Sequence, residues 1–97
     1  MDTDDLSTEL YKAIFNPAEK YNHDLTLHFG LLASDCENER DYISKAEKLI
    51  EVLKISGIGF FFENKPPTAR LIKVLDKIQE NIEKVKQIPI EKRIYEF

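Results

Sequence analysis

The stretch from Ser56 to Thr68, Ser-Gly-Ile-Gly-Phe-Phe-Phe-Glu-Asn-Lys-Pro-Pro-Thr, separates the two strongest helical patterns of this 97-residue chain. Gly57 can adopt the positive φ that ends a helix, and Pro66-Pro67 disfavours helix in the residue before it. One helix therefore ends near Ser56 and another begins near Thr68. The segments on either side have to fold back on each other.

Apolar residues recur at helical spacing in four segments. Asn16-Pro17 is expected to stop the first segment, because Asn16 suits an N-cap and Pro17 suits the first position of a second helix. Asp35 or Asn38 can cap the third helix, and Thr68 can cap the fourth. The predicted helices span residues 3–15, 17–33, 38–55 and 68–87, and a tail follows over residues 88–97.

The second segment is ambiguous over residues 25–32. As a helix it buries Leu25 and Phe29, with Leu27 and Leu31 broadening the apolar stripe. As a strand, the same four residues alternate with polar or small ones. The helix start at Asn16-Pro17 and the absence of Val and Ile favour a helix, and the strand remains the alternative.

Short connections place amphipathic helices antiparallel, and four such helices bury their stripes as an up-down bundle. A chain of 97 residues suits one domain, residues 1–97. The tail keeps apolar residues that a solvated terminus normally lacks, so it either packs back over the bundle or docks on a partner. We therefore predict an all-α protein, an antiparallel four-helix bundle with an apolar C-terminal tail.

The charge and the termini point to a soluble, cytoplasmic protein. The first five residues are acidic and lack the features of a signal peptide, and no apolar run approaches the ~20 residues that span a bilayer. Residues 1–41 carry ten acidic against three basic residues, and residues 42–97 carry eight against eleven. The acidic half disfavours nucleic-acid binding, whereas the basic half can face an anionic surface, so peripheral membrane contact is an option.

No motif for catalysis or cofactor binding is evident. Asp24 and His28 have i,i+4 spacing, but two ligands do not make a zinc site, and His28 is better explained as a partly buried core residue. Cys36 lies between two acidic residues that raise its pKa and blunt its reactivity. We expect no enzyme activity, no metal and no cofactor.

The candidate binding surface combines the aromatic run of the central stretch with nearby cations and the apolar tail. Three adjacent phenylalanines cannot all face inward, so part of the run is expected to be exposed. The plainer alternative is that two of them pack into the end of the bundle. The predicted partner-binding residues are Phe60, Phe61, Phe62, Lys65, Arg70, Ile90, Arg93, Ile94, Tyr95 and Phe97.

The order of these features resembles the immunity proteins of pediocin-like (class IIa) bacteriocins, most closely the carnobacteriocin and enterocin immunity type. The resemblance rests on residues 10–17 (Leu-Tyr-Lys-Ala-Ile-Phe-Asn-Pro), 37–43 (Glu-Asn-Glu-Arg-Asp-Tyr-Ile), 56–62 and 67–72. It covers roughly residues 6–85 and leaves the tail unmatched.

The resemblance implies a small cytoplasmic four-helix bundle that protects a producer cell from its own bacteriocin. Such proteins act from the cytosolic side at the mannose phosphotransferase permease and recognise the permease–bacteriocin complex, and their C-terminal half carries the specificity for the bacteriocin. We therefore expect a bacteriocin immunity protein, monomeric and without a nucleic-acid partner. The alternative is a small acidic interaction module, such as an antitoxin that wraps a basic toxin.

Overall fold

The computed structural model describes residues 1–58 and 66–95. Its α-helices are α1 (Thr8–Tyr21), α2 (His23–Leu32), α3 (Glu39–Ser56) and α4 (Ala69–Lys86), with short 3-10 turns at Thr3–Asp5, Ala33–Asp35 and Ile90–Lys92. The described residues contain no strand, so the all-α prediction is confirmed and residues 25–32 are helical. None of the helices in these ranges is long and apolar enough to cross a bilayer.

The helices pack as an antiparallel four-helix bundle, as predicted. α1 packs against α2 and α4, and α3 packs against α4 and α2. Lys54 near the end of α3 lies 2.5 Å from Asp76 early in α4, and Glu47 in the middle of α3 lies 2.8 Å from Lys86 at the end of α4. These two contacts show that α3 and α4 run in opposite directions.

The break predicted at Asn16-Pro17 is wrong, because α1 runs through Pro17 to Tyr21. A proline inside a helix has no N–H to donate, so the carbonyl four residues earlier, on Ala13, loses its helical donor. Asn81 of α4 supplies the missing donor: its side-chain amide lies 3.0 Å from the Ala13 oxygen. A tertiary hydrogen bond thus lets the helix continue where the local sequence favours a stop.

Each of the four helices begins after a residue whose side chain accepts a hydrogen bond from the backbone N–H three residues later: Ser7, Asn22, Asn38 and Thr68. α1 therefore starts at Thr8, and the predicted start at residue 3 corresponds to the preceding 3-10 turn. The observed ends of α3 and α4 agree with the predicted ones within one residue. Gly57 ends α3 with φ of 75°, the positive value expected of it.

One continuous core fills the space between the helices. Its largest fully buried side chains are Tyr42, Phe29, Leu6, Leu10, Ile14, Leu25, Ile50, Leu71, Leu75, Ile78 and Ile82. Leu27 and Leu31 are exposed, contrary to the expectation that they widen the buried stripe of the second helix. They lie two residues after Leu25 and Phe29 and so point to the opposite side of α2.

Candidate functional site

The C-terminal segment, residues 88–95, folds back on the end of the bundle where α1 and α3 begin and α4 ends. The backbone N–H of Thr8 donates to the carbonyl of Ile94 over 2.7 Å. The N–H of Ile94 donates in turn to the carboxylate of Glu9, at 2.9 and 3.1 Å from its two oxygens. Of the two alternatives for the tail, packing back over the bundle is therefore the one observed for these residues.

Glu39 and Arg93 form an ion pair that anchors this segment. Arg93 Nη1 lies 2.6 Å from Glu39 Oε1, and the two side chains are only 8% and 9% exposed. Ser7 completes the cluster: its N–H donates to Glu39 Oε2 over 2.7 Å, and its hydroxyl donates to Oε1 over 3.2 Å. Both carboxylate oxygens are thus hydrogen-bonded, as a buried charge requires.

The same pair lies where the ends of three helices meet. Arg93 donates to the carbonyls of Val85, in the last turn of α4, and of Ile88 just beyond it, each over 3.1 Å. Helix C-terminal carbonyls carry partial negative charge, which suits a guanidinium. Glu39 lies in the first turn of α3 and binds the N-cap residue of α1, where partial positive charge suits a carboxylate. The cluster therefore holds the segment to the bundle through paired, oriented charges.

A surface cleft of about 310 Å³, termed the C-terminal cleft, opens beside this cluster. Its lining residues are Glu39, Arg40, Ile43, Lys86, Ile90, Arg93 and Tyr95. A neighbouring hollow of about 410 Å³ shares Ile90 and Tyr95 and extends towards Met1 and Asp5. Ile90 and Tyr95 are 65% and 42% exposed, and Ile94 is exposed as well. The segment therefore exposes apolar side chains while its backbone is held in place.

The charged side chains around the cleft differ in whether they are paired. Lys86 is already engaged by Glu47, whereas Arg40 is exposed and has no ion pair among the described residues. Burial raises the pKa of the Tyr95 phenol, and the negative charge of Glu39 raises it further. The phenol therefore stays neutral near pH 7. An apolar surface with one available guanidinium can hold a hydrophobic group next to an acidic or carbonyl group.

The predicted site residues do not form one surface. Ile90, Ile94 and Tyr95 lie together on the C-terminal segment, but Arg70 lies at the other end of α4, with its guanidinium 5.5 Å from the centre of the Tyr21 ring. The helix rises ~22 Å between positions 70 and 85. Of the remaining predicted residues, Phe60, Phe61, Phe62, Lys65 and Phe97 lie outside the described part of the chain.

Arg93 departs from its predicted role as a surface cation that contacts a partner. Its guanidinium is nearly buried and is occupied by Glu39 and by two backbone carbonyls. Desolvation explains the difference: a buried arginine is stable only when its donors are satisfied, and here the protein itself satisfies them. Arg93 positions the cleft and presents little of itself to solvent.

Sequence reasoning missed Ser7 and Glu39, although each carries a local signal. Ser7 precedes an acidic first turn, which is typical of an N-cap, and Glu39 follows the cap residue Asn38, where acidic residues are favoured. Those signals identify helix starts. Nothing in them indicates that the two starts meet, because the residues are 32 positions apart.

The residues considered for metal binding and nucleophilic chemistry are not part of the C-terminal cleft. No group of three or more His, Cys, Asp or Glu side chains within residues 1–58 and 66–95 is placed to hold a metal ion. Burial lowers the pKa of His28, with the carboxylate of Asp24 opposing the shift. The pKa of Cys36 is raised, as predicted, but mainly by burial rather than by its acidic neighbours, and its thiol donates to the carbonyl of Leu32.

Comparison of the chain with protein-family models, with curated proteins and with solved structures gives no match in any of the three. The chain's own sequence pattern and geometry are therefore the grounds for assigning it a function.

Proposed function

We propose that this chain is a bacteriocin immunity protein, which protects a producer cell from a pediocin-like peptide by docking on its receptor complex from the cytosol. The sequence motifs over residues 10–72 support this proposal through their resemblance to that family. The observation that carries it is the C-terminal segment, which is fastened to a four-helix bundle and leaves Ile90, Ile94 and Tyr95 exposed.

The cleft suits partner recognition because it is already ordered. The Glu39–Arg93 pair and the hydrogen bonds between Thr8, Glu9 and Ile94 fix the segment in the free protein. The conformational entropy of ordering it is lost on folding rather than on binding, which raises the affinity available to a small surface. A disordered tail with the same apolar residues would bind more weakly.

The exposed side chains are of the kinds that dominate protein interfaces. Tyr95 offers an aromatic ring with a polar tip, Ile90 offers an aliphatic contact, and Arg40 offers a guanidinium at the rim. Tyrosine and arginine are enriched among the few interface positions at which truncation costs about 2 kcal/mol or more. In the proposed complex these groups contact the cytosolic face of the permease bound to bacteriocin. Binding to this complex is then sufficient to protect the cell.

The experiment that tests the proposal is expression of the chain in a bacterium sensitive to pediocin-like peptides. Growth is measured against a panel of such peptides, with the empty vector as control. We expect resistance to at least one peptide and unchanged sensitivity to a pore-forming peptide that uses another receptor. Unchanged sensitivity to the whole panel would contradict the proposal, and protection of cells from a co-expressed basic toxin would favour the antitoxin alternative.

A further inference from the structure

A second cleft lies at the other end of α4, between the C-terminal half of α1 and the N-terminal half of α4. It encloses about 380 Å³ and is termed the basic groove. Its floor is formed by Pro17, Tyr21 and Val74, and its rim by Lys20, Arg70, Lys73 and Lys77. The α4 members recur at three- and four-residue spacing, which places them on one face of the helix.

The rim concentrates positive charge on a protein whose net charge is −4. Among residues 1–58 and 66–95, no carboxylate lines the groove and none of its four cations is ion-paired. By contrast, Lys54, Lys84 and Lys86 nearby on α3 and α4 each lie within 3.4 Å of a carboxylate. Like charges around one cleft repel each other, and an anionic ligand relieves that repulsion.

The floor between the cations is apolar. Pro17, Tyr21 and Val74 are half-buried, so each leaves part of its surface open to the groove. The guanidinium of Arg70 lies over the Tyr21 ring at 5.5 Å from its centre, a cation–π distance that holds this cation beside the floor. The groove thus places apolar surface at the bottom and positive charge on both sides.

We infer that the basic groove binds an acidic peptide segment of a partner protein, in which carboxylates flank one or two apolar side chains. The carboxylates match the cations of the rim, and the apolar side chain matches the floor. A volume of about 380 Å³ lies at the small end of the range for ligand sites, which suits one or two side chains rather than a whole helix face.

The position of the apolar surface distinguishes this occupant from a lipid bilayer. A membrane-binding surface inserts protruding apolar side chains below the headgroups. In the groove the three apolar residues are half-buried and the four cations are exposed, so the apolar surface does not protrude beyond the cations. The inference is independent of the bacteriocin proposal, since it requires only an acidic protein partner.

The test is an NMR titration of the isotope-labelled full chain with ten-residue peptides. In each peptide, Asp and Glu flank a central Leu or Phe. Counterpart peptides carry Asn and Gln in place of the acids. We expect the acidic peptides to shift the amide signals of residues 17–21 and 70–77, and the neutral peptides to leave them unchanged. The double variant Lys73→Gln/Lys77→Gln should bind about tenfold more weakly or worse, because interfacial charge pairs contribute on this scale.

The matched control is Lys48→Gln/Lys92→Gln, which removes two exposed cations outside the groove and should bind like the unaltered chain. The inference is overturned if no acidic peptide shifts the groove signals, or if the control variant loses as much affinity as the groove variant. It is also overturned if vesicles of phosphatidylglycerol bind through Lys73 and Lys77 while the peptides do not. Equal melting temperatures of the variants exclude unfolding as the cause.

Discussion

The Arg93 side chain connects the C-terminal segment to the bundle more extensively than any backbone contact of that segment does. It donates to the Glu39 carboxylate and to the carbonyls of Val85 and Ile88. Replacing a whole buried ion pair by apolar residues is often neutral, but removing one member leaves an uncompensated buried charge. The stability of this end of the protein therefore depends on both partners being present.

Arg93→Met, which keeps much of the side-chain volume and removes the charge, should lower the free energy of unfolding by about 3 kcal/mol or more. The loss follows from the buried Glu39 carboxylate that remains, and urea denaturation measures it. The neighbouring variant Lys92→Met is the control, because Lys92 is exposed and surface changes usually stay within about 0.5 kcal/mol. The double variant Glu39→Gln/Arg93→Met should recover part of the loss. A cost below about 1 kcal/mol for Arg93→Met would show that the pair is not structural.

His28 should make the stability of the protein depend on pH in mildly acidic solution. Burial holds the pKa of its imidazole below the ordinary value of about 6.5, so the unfolded chain takes up the proton first as the pH falls. The contribution of His28 is therefore full above about pH 6.5 and is lost as the pH falls through the folded-state pKa. His28→Gln should show a smaller drop in melting temperature between pH 7 and pH 5 than the unaltered chain does. His23→Gln, at an exposed position, should keep the full drop, and an equal effect of both variants would contradict this assignment.

At the scale of secondary-structure elements, α1 depends on a contact with α4. The Ala13 carbonyl lacks its helical donor because residue 17 is proline, and the Asn81 amide replaces that donor. A buried or partly buried carbonyl without a donor costs about 1–3 kcal/mol. The second half of α1, which also forms one wall of the basic groove, is thus stabilised from outside the helix.

Asn81→Ala should destabilise the protein by about 1–2 kcal/mol, because the Ala13 carbonyl is left without a donor. In a Pro17→Ala background the restored N–H of residue 17 can donate to that carbonyl, so the same Asn81→Ala change should cost clearly less. Thermal unfolding of the four chains forms a double-mutant cycle. Equal costs of Asn81→Ala in both backgrounds would mean that its effect comes from packing alone.

The sequence predicts α3 and α4 well because their caps and their apolar stripes agree. Asn38 and Thr68 begin them, and Gly57 ends α3 by adopting a positive φ. It predicts the boundary between α1 and α2 poorly, because a proline is a strong local stop signal whereas the compensating donor lies 68 positions from the carbonyl it binds. Local sequence propensity predicts such a helix boundary correctly only where no tertiary hydrogen bond replaces the lost backbone donor.

At the scale of the whole molecule, two clefts lie at opposite ends of α4. The C-terminal cleft is formed by residues from the start of α3, the end of α4 and the C-terminal segment, and the basic groove lies between α1 and α4 near Arg70. The sequence indicates which residues are apolar or basic in the C-terminal half, and so it identifies Ile90, Tyr95 and Arg70 as candidates. Their separation follows from the length of α4, which carries Arg70 and the C-terminal segment to opposite ends of the helix.

The partners of Arg93 were beyond sequence reasoning for a related reason. Arg93 follows Lys92 in a polar, charged run, a context typical of an exposed cation. Glu39 lies 54 positions earlier, and only the return of the C-terminal segment brings the two together. The Glu39–Arg93 contact that supports the cleft therefore emerges from the fold, whereas Ile90 and Tyr95, two of the residues that line it, could be predicted from their type.

The central claim is that the exposed apolar side chains of the C-terminal segment confer protection against a pediocin-like bacteriocin. The most direct measurement is the inhibitory concentration of that bacteriocin for sensitive cells that express the chain. Three forms are compared: the unaltered chain, the double variant Ile90→Ser/Tyr95→Ser, and the control Leu31→Ser/Ile55→Ser. All four of these side chains are exposed, so both variants should fold, and the melting temperatures check this. We predict that the Ile90/Tyr95 variant loses protection while the control retains it; equal protection by both variants would contradict the claim.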